Sequence, residues 1–390
     1  MKKKQIAILG STGSIGKSTL DIIKSDKTFK VFLIVADKNF RAICYQIITF
    51  QPRIVIINNY SVFFKIKKKF KNTKIKFFNN YNYIKKLKKK INVTISAIPG
   101  IAGLEPTLLF VKISNKVLLA NKEAIICGWK LIKKESIKYK SELIPIDSEH
   151  FSIGQLIKNY PIDQIEKIFI TASGGPFLKL PLNKFNQIKP SEAIKHPKWK
   201  MGKKISIDSA TLVNKVLEIS EALKIFPFNL NIYKIIIHPE SLVHAIIQLK
   251  NGFKLLLYHA PDMKIPISNA LNSSYMFLKK KKILRNDFFK LQNLNFHEVD
   301  HERFPIVNLI PKINSYNSSL IVFNAANEIF VDQFLKKNID FTDISRYLKL
   351  LLKHKKYIKL AKMKTTNLSN IQKIDLVSRK IALEIIQERK

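Results

Sequence analysis

The sequence predicts an α/β protein with a parallel sheet in its N-terminal part, an α+β arrangement in its middle and helices in its C-terminal part. Short apolar runs alternate with helical patterns over roughly the first 120 residues, which is typical of βαβ units. Beyond Ile144 the strand-like runs follow one another more closely. From Phe304 onward only helical periodicity remains, which predicts a small helical domain.

The N-terminal strands are predicted from apolar runs so continuous that both faces of the sheet must be covered. We expect strands at Gln5–Leu9, Val31–Ala36, Arg53–Ile57, Asn92–Ile98 and Lys116–Leu119, and helices at Ser14–Lys24 and Asn39–Thr49. Helices on both faces of one parallel sheet are therefore expected in this part of the chain.

The middle region is expected to contain a hairpin, because Asn251-Gly252 is a strong two-residue turn signal between apolar runs. Its expected strands are Lys167–Thr171, Tyr233–Ile237, Val243–Leu249 and Phe253–Tyr258, and the later helices lie around Leu320–Leu335, Ile344–Leu352 and Ile374–Ile386. The predicted domains are 1–149, 150–275 and 304–390, with a polar, lysine-rich linker at 276–303.

The composition is that of an intracellular globular protein. Of the 390 residues, 46% are hydrophobic and 25% are charged, and no apolar stretch approaches the ~20 residues that cross a bilayer. The two cysteines, Cys44 and Cys127, are far apart and form no CxxC motif. We therefore expect a cytoplasmic protein with no membrane partner.

The formal net charge of +41 raises the alternative of a nucleic-acid-binding protein. Only 7 of the 69 basic residues are arginine, however, and nucleic-acid readers commonly depend on arginine for bidentate contacts. Lysine, isoleucine, asparagine and phenylalanine are all abundant, which is typical of an AT-rich coding sequence. The charge is therefore attributed to genomic composition, and no nucleic-acid partner is expected.

A glycine-rich turn, Gly10-Ser-Thr-Gly13-Ser-Ile-Gly16-Lys17-Ser18, follows the first strand and opens the first helix. Helix N-termini bind phosphate through backbone N–H groups, and glycine allows close approach. The last two glycines fit the dinucleotide pattern, although the first is displaced to Gly10, and a Walker A loop needs glycine where Ser11 stands. The alternating units favour a Rossmann-like dinucleotide-binding domain, and a P-loop or a purely structural turn are the alternatives.

The residues after the second strand leave the choice between NAD and NADP open. Asp37 favours a free ribose 2′-hydroxyl, whereas Lys38 and Arg41 favour a 2′-phosphate.

Carboxylates in two segments indicate a divalent cation site. Asp147 and Glu149 follow an apolar strand at i and i+2, and in an extended chain their side chains share one face. Glu218 lies on a predicted helix, one turn after Asn214 and next to Lys215 on the same face. Oxygen ligands suit Mg²⁺ or Mn²⁺. The alternatives are a solvated turn with a helix cap for the first segment and an ordinary amphipathic helix for the second.

Two further segments carry polar groups that suit a ligand. Ser173 follows a strand in the tight turn 171–176, where its hydroxyl can bind an anion. The segment His196–Lys203 combines a histidine, a tryptophan and a glycine, which suits a loop at 192–203 that folds over a ligand and excludes water. The sequence contains no Cys/His zinc pattern and no GxSxG elbow.

Together these segments resemble one family, the 1-deoxy-D-xylulose 5-phosphate reductoisomerases of the non-mevalonate isoprenoid pathway. The matching motifs, in family order, are Gly10-Ser-Thr-Gly-Ser-Ile-Gly16, Gly103-Leu-Glu-Pro-Thr107, Leu119-Ala-Asn-Lys-Glu123, Asp147-Ser-Glu-His150, Ser173-Gly-Gly-Pro-Phe177, His196-Pro-Lys-Trp-Lys-Met-Gly202, Asp208-Ser-Ala-Thr211, Asn214-Lys215 with Glu218, Pro261-Asp-Met263 and Asn324-Ala-Ala-Asn-Glu328.

The resemblance implies a homodimeric enzyme that uses NADPH and a divalent metal, Mn²⁺, Mg²⁺ or Co²⁺, on a phosphosugar. The metal would act as a Lewis acid on vicinal substrate oxygens. A carbon–carbon bond would break and re-form to give a branched aldehyde phosphate. NADPH would then reduce this aldehyde to 2-C-methyl-D-erythritol 4-phosphate.

The resemblance also implies roles for individual residues. The metal ligands would be Asp147, Glu149 and Glu218, which together with Lys122 form the catalytic set. The substrate would be bound by Lys122, Ser148, Glu149, Ser173, His196, Ser209, Asn214, Lys215 and Glu218. NADPH would contact Thr12, Gly13, Ser14, Ile15, Lys38, Asn39, Asn121, Glu123 and Gly202. Trp199 and Met201 would lie on the loop that covers the substrate.

Three positions depart from the family pattern. Asp37, Lys264 and Glu240 stand where glycine, arginine and glutamine are usual. Asp37 would place a carboxylate beside the 2′-phosphate of NADPH.

Overall fold

The structure, a computed structural model, describes residues 3–87, 90–199, 201–272 and 293–388. These residues form two compact units. Unit 1 comprises 3–125, Trp129–Phe151 and 262–272, and unit 2 comprises Ile126–Gly128, Ser152–Pro261 and 293–388. The division into three domains stays a prediction, because much of its linker at 276–303 lies outside the described residues.

The described residues of unit 1 form a seven-stranded parallel sheet in the order β4-β3-β2-β1-β5-β6-β7. Its strands are β1 (Lys4–Leu9), β2 (Phe29–Ala36), β3 (Ile54–Ile57), β4 (Lys76–Phe78), β5 (Ile91–Ser96), β6 (Ser114–Leu119) and β7 (Glu142–Pro145). The helices that begin in this unit are α1 (Ser14–Ser25), α2 (Phe40–Phe50), α3 (Tyr60–Lys69), α4 (Asn82–Lys85), α5 (Leu104–Ile113), α6 (Lys122–Tyr139), α7 (Ser148–Ile157) and α11 (Lys264–Leu271), with a 3₁₀ turn at Ile101–Gly103.

The sheet of unit 1 is buried on both faces, as its continuous apolar strands predict. Successive side chains of a strand point to opposite faces. Ile6 and Ile8 of β1 accordingly lie in one core cluster, with Leu20 of α1. Leu9 lies in the cluster on the other face, with Phe110 of α5. The helices therefore enclose the sheet from both sides.

The strand order changes direction at β1, whose two neighbours are β2 and β5. In an open α/β sheet, ligands bind in the crevice at such a switch point, outside the carboxyl ends of the strands. Gly10 directly follows β1 there, with φ +81°, and a Cβ at this position would lie 2.5 Å from the carbonyl oxygen of Ala97 beyond β5. Only glycine allows this approach.

The described residues of unit 2 contain a four-stranded sheet in the order β11-β10-β8-β9. Its strands are β8 (Ile165–Ala172), β9 (Tyr233–Ile237), β10 (Val243–Leu249) and β11 (Lys254–Tyr258). Strands β8 and β9 are parallel, whereas β10 is antiparallel to β8 and β11. Gly252, with φ +92°, makes the turn of the predicted hairpin.

In the sequence, three described helices of unit 2 lie between β8 and β9, and the others follow β11. They are α8 (Pro190–Ala193), α9 (Lys203–Ala210), α10 (Val213–Ile225), α12 (Ile310–Ile313), α13 (Ser319–Leu335), α14 (Phe341–Leu351), α15 (Tyr357–Ala361) and α16 (Leu368–Gln387), with 3₁₀ turns at Ile162–Gln164, Leu182–Gln187, Leu230–Ile232 and Pro305–Leu309. The predicted helical C-terminal part is thus observed.

The C-terminal helices contact the middle region of the chain through buried polar and aromatic side chains. Asn327 of α13 donates a hydrogen bond to Asp208 of α9 (2.8 Å). The rings of Phe341 and Phe177 meet edge to face, with centroids 5.4 Å apart. These contacts explain why the C-terminal helices and the α+β sheet form one unit.

Within the described residues, no helix combines the length and the apolar character that crossing a membrane requires.

Candidate active site

The glycine-rich turn is held rigidly at the start of α1. Gly13 is the N-cap of the helix. A Cβ on Gly16 would lie 2.5 Å from the carbonyl oxygen of Gly10, so the helix packs directly on the turn. The buried Ser11 hydroxyl donates to Gln46 Oε1 (2.7 Å), and Gln46 Nε2 donates to the Ser11 carbonyl (2.8 Å). The glycine-rich turn therefore places the N-terminus of α1 at the switch point of the sheet. The free backbone N–H groups of a helix N-terminus suit a pyrophosphate.

The segment after β2 presents charges of both signs to solvent. Asp37, Lys38 and Asn39 are all exposed, and the Asn39 side chain caps α2 by accepting a hydrogen bond from Ala42 N (3.0 Å). Tyr81 lies near Asp37, and its pKa is raised, mainly by burial and in smaller part by neighbouring acids. The acidic side chain of Asp37 and the basic side chain of Lys38 are therefore both exposed where a ribose would bind.

Asn121 ties the loop after β5 to the start of α6. Its Oδ1 caps the helix by accepting from Ala124 N (3.0 Å), and its Nδ2 donates to the carbonyl oxygens of Ile98 and Gly100, the latter at 2.9 Å. The next residue, Lys122, is 8% exposed. The Asn121 side chain therefore positions both the loop after β5 and the start of α6, where Lys122 lies.

Asp147 and Glu149 do not lie on an extended strand, so that expectation is wrong. The helix α7 begins at Ser148, and the Asp147 carboxylate accepts from Ser148 N (3.0 Å) while its carbonyl accepts from Phe151 N (2.8 Å). An aspartate is favoured here because it satisfies unpaired N–H groups and meets the positive end of the helix dipole. Glu149 lies in the first turn and accepts from the Ser148 hydroxyl (2.6 Å).

The Asp147 carboxylate also meets two buried basic side chains. Lys122 Nζ lies 3.2 Å from its Oδ2, and Nδ1 of the fully buried His150 lies 3.9 Å from the same oxygen. Lys122 is among the residues that the family resemblance implies, whereas His150 is not. The i, i+3 spacing of His150 from Asp147, which places these two side chains on one helical face, is the signal that could have found it.

Helix α10 carries a buried polar cluster in unit 2. Glu218 is 1% exposed, and its carboxylate accepts from Lys215 Nζ (2.7 Å) and from the Asn214 amide. Asn214, Lys215 and Glu218 therefore lie on one face of the helix, as predicted. That face is buried, whereas the polar face of an ordinary amphipathic helix is exposed to solvent. Leu212, just before α10, has φ +58°. Strain of this kind in a residue with a large side chain is found preferentially at functional sites.

Ser173 and His196 form a second polar cluster in unit 2. The Ser173 hydroxyl and His196 Nε2 are 2.9 Å apart, and His196 Nδ1 accepts from Trp199 N (2.9 Å) and Lys198 N (3.2 Å). Because Nδ1 accepts, the ring proton lies on Nε2 and is donated to the Ser173 oxygen. Burial, assisted by the positive charge of Lys215, lowers the pKa of His196 to about 4, so the ring is neutral near pH 7.

Ser209 and Gly202 lie on the helix next to this cluster. Gly175 has φ +69°, and a Cβ there would lie 2.7 Å from Ala210 Cα, so the turn after β8 packs directly on α9. Ser209 is half-buried on that helix, and Gly202 is its exposed N-cap. Met201 is half-buried, and Lys200 lies outside the described residues.

The predicted site residues thus fall into two sets. Unit 1 contains Thr12, Gly13, Ser14, Ile15, Lys38, Asn39, Asn121, Lys122, Glu123, Asp147, Ser148 and Glu149. Unit 2 contains Ser173, His196, Gly202, Ser209, Asn214, Lys215 and Glu218. Within unit 1 the structure brings Lys122, Asp147, Ser148 and Glu149 together, and within unit 2 it joins Ser173 to His196 and Glu218 to Asn214 and Lys215.

A parallel sheet with a glycine-rich turn at its switch point, together with buried clusters of acids, lysines and a neutral histidine, defines an α/β dinucleotide-dependent enzyme. Three family models match the chain. They describe 1-deoxy-D-xylulose 5-phosphate reductoisomerase (residues 6–128), its C-terminal domain (143–226) and the DXP reductoisomerase C-terminal domain (259–381). The chain belongs to the 1-deoxy-D-xylulose 5-phosphate reductoisomerase family.

Relatives in other organisms match over the whole chain. The reductoisomerase of Pelagibacter ubique is 45% identical over 386 residues, which are 97% of this chain and 99% of the relative. That of the Wolbachia of Brugia malayi is 39% identical, covering 99% and 98%. Among solved structures, DOX-P reductoisomerase in complex with NADPH, fosmidomycin and magnesium has a TM-score of 0.90 at 30% identity, covering 98% of each chain. The Zymomonas mobilis enzyme in complex with NADPH has a TM-score of 0.85 at 31% identity, covering 99% of each.

The family, the enzyme class and the fold predicted from the sequence are confirmed by these relatives.

Proposed function

We propose a role in the reaction for each of the predicted site residues of this chain. As a member of its family, the chain is an oxidoreductase that converts 1-deoxy-D-xylulose 5-phosphate to 2-C-methyl-D-erythritol 4-phosphate with NADPH and a divalent metal. When bound, the metal supplies a Lewis acid for the substrate oxygens and NADPH supplies the hydride. The residue roles below are our assignment.

The NADPH site lies at the switch point of the sheet in unit 1. The first turn of α1 binds the pyrophosphate through its backbone N–H groups, and Lys38 and Asn39 bind the 2′-phosphate. The remaining contacts come from Asn121, Glu123 and Gly202. The geometry of Gly10 and Gly16 supports this assignment, because both positions lack room for a Cβ beside the turn.

The metal ligands are Asp147, Glu149 and Glu218. Three carboxylates offer hard oxygen atoms, which suit Mg²⁺, Mn²⁺ and Co²⁺. Asp147 and Glu218 each have a lysine at ion-pair distance, Lys122 at 3.2 Å and Lys215 at 2.7 Å. These lysines compensate the carboxylate charge, and we assign them to the oxygens of the substrate as well.

The phosphate of the substrate binds among Ser173, His196, Ser209, Asn214 and Lys215. His196 is neutral, so it donates a hydrogen bond from Nε2 but contributes no charge. Lys215 then provides the positive charge that a phosphate requires. Ser148, Glu149 and Lys122 contact the other end of the phosphosugar, where its carbon skeleton rearranges.

The buried carboxylate of Glu218, which supports the metal site, provides the decisive experiment. In Glu218→Gln we expect turnover to be lost, measured as NADPH oxidation at 340 nm with Mn²⁺, while NADPH binding stays within about twofold, because cofactor and metal contact different residues. The matched control is Glu384→Gln, which removes an exposed carboxylate paired with Lys356. Full activity in Glu218→Gln would remove that residue from the ligand set.

The enzyme is further proposed to act as a homodimer in the cytoplasm, with the phosphosugar as its partner. The assignment is supported by membership of the family and by the two buried cysteines, Cys44 and Cys127, which form no disulfide.

A further inference from the structure

Two buried histidines that have no role in the proposed reaction, His244 and His259, lie beside the loop tryptophan. Their rings are stacked, with centroids 3.7 Å apart and planes inclined by 18°. The ring of Trp199 meets His244 edge to face, with centroids 6.0 Å apart and an angle of 73°. His244 is 3% and His259 is 7% exposed. Trp199 thus contacts one ring of a buried, stacked pair.

A β-bulge in the hairpin orients His244. Val243 pairs with Tyr258 and Ala245 pairs with Leu257, so His244 is the additional residue of β10 at this point of the register. Bulges occur beside ligand sites, where they re-aim a side chain. Here the re-aimed side chain is the ring that Trp199 contacts.

Hydrogen bonds hold both rings in place. His244 Nε2 lies 3.1 Å from the carbonyl oxygen of His259, and His259 Nδ1 lies 2.7 Å from that of Ala260. A carbonyl oxygen only accepts, so each of these nitrogens carries a proton and donates it. The two rings therefore form a rigid surface, and a single rotamer change would break both the stack and a hydrogen bond.

Trp199 holds the loop through two contacts, both within unit 2. The backbone N–H of Trp199 donates to His196 Nδ1 (2.9 Å), and its indole contacts His244. The first contact orients the histidine that we assign to the phosphate. The second extends from the loop to the hairpin. Trp199 therefore links the hairpin, through its indole, to His196, through its backbone.

We infer that the stacked pair His244–His259 is a platform that seats Trp199 and so sets the closed position of the loop over the phosphosugar. This inference rests on the proposed function, because it assumes that the loop covers the substrate. Both histidines are positioning residues, since they act through Trp199 and do not touch the reacting atoms.

The platform is tested in a Trp129→Phe background, where Trp199 is the single remaining tryptophan of the chain. His259→Leu keeps side-chain volume but removes the flat ring, and His259→Phe restores a flat ring. In His259→Leu we expect acrylamide quenching of Trp199 fluorescence to rise about twofold and KM for the substrate to rise about fivefold, with kcat nearly unchanged, because a lost aromatic contact loosens the loop. His259→Phe should return both values close to the parent.

The control is Phe253→Ala, which removes an exposed ring from the same hairpin and should change neither value. Unchanged quenching and KM in a folded His259→Leu protein would overturn the inference. If the leucine variant does not fold, His259→Asn is measured in its place, with the same expected results. Quenching needs no substrate. A parent protein without reductoisomerase activity would refute the proposed function, while the quenching comparison would still decide whether the platform seats Trp199.

Discussion

His196 shows how a single side chain acquires its chemistry from its surroundings. Its Nδ1 accepts two backbone hydrogen bonds and its Nε2 faces the Ser173 hydroxyl, while Lys215 adds a positive charge nearby. These contacts and burial favour the neutral ring. The residue type was apparent in the sequence, but its protonation state depends on groups that are distant along the chain.

The first prediction concerns the pH dependence of stability. Because the folded pKa of His196 is lowered from 6.5 to about 4, the unfolded chain binds a proton at higher pH than the folded chain. The contribution of His196 to the unfolding free energy is therefore constant above pH 6.5 and declines as the pH falls toward 4. Urea unfolding should show a larger loss between pH 7.5 and 5 for the native chain than for His196→Asn.

An NMR titration of the histidine resonances provides the direct measurement. The signal that is absent from the His196→Asn spectrum should titrate near pH 4, and a midpoint near 6.5 would contradict the neutral-ring assignment.

The second prediction concerns Lys215, the charged group that we assign to the phosphate. In Lys215→Ala we expect KM for the substrate to rise about 10- to 100-fold, because a charge-assisted hydrogen bond contributes about 1.5–3 kcal/mol. The variant should also be less stable, since the buried Glu218 loses its cation. Steady-state kinetics at saturating NADPH measure the effect. Lys234→Ala on an exposed strand position is the control, and equal KM values in the two variants would remove Lys215 from the pocket.

At the scale of elements, capping side chains connect local helix formation to the proposed cofactor and metal sites. Asn121 both caps α6 and holds the loop that follows β5. Asp147 likewise caps α7 while its carboxylate meets Lys122. In both cases the residue that starts a helix also places a functional group at its N-terminus.

The third prediction separates these two roles for Asn121. Asn121→Ala should lower the free energy of unfolding by about 1 kcal/mol, the usual effect of a lost cap, and should weaken NADPH binding because the loop beside the glycine turn is released. Asn59→Ala removes an equivalent cap from α3, where Asn59 accepts from Val62 N (3.1 Å). Fluorescence titration with NADPH should detect weaker binding in Asn121→Ala alone; equal affinities in both variants would contradict the second role.

Five strands of unit 1, β1, β2, β3, β5 and β6, were predictable because each is a continuous apolar run between turn-forming residues. The bounds differ by a few residues: β2 begins at Phe29 rather than Val31, and β5 ends at Ser96 rather than Ile98. The short edge strand Lys76–Phe78 was not predicted, since three residues carry too little periodicity. The extended arrangement at Asp147 failed because a helix N-terminus outcompetes strand continuation there.

At the scale of the whole molecule, the charge of +41 is consistent with the assigned function without a polyanion partner. The substrate and NADPH both carry phosphate, and a positively charged protein attracts such anions over long distances. The basic residues are mostly lysine, whose hydrated ammonium groups are well suited to exposed positions.

The fourth prediction concerns the assembly of the whole chain. Light scattering after size exclusion should give about twice the 45.1 kDa of one chain, because the family resemblance implies a homodimer. The value should not depend on ionic strength if apolar surface holds the copies together. A mass of one chain at micromolar concentration would contradict the proposal.

The sequence by itself determined the family and the α/β class and predicted the residues to which we assign the chemistry, because motifs and apolar periodicity are local properties of the chain. Tertiary structure alone decided that His196 is neutral, that Glu218 is paired with Lys215 and buried, and that His244 and His259 are stacked beside Trp199. Protonation, desolvation and ring stacking arise from neighbours that the fold brings together. Periodicity and spacing along the chain therefore do not predict these three properties.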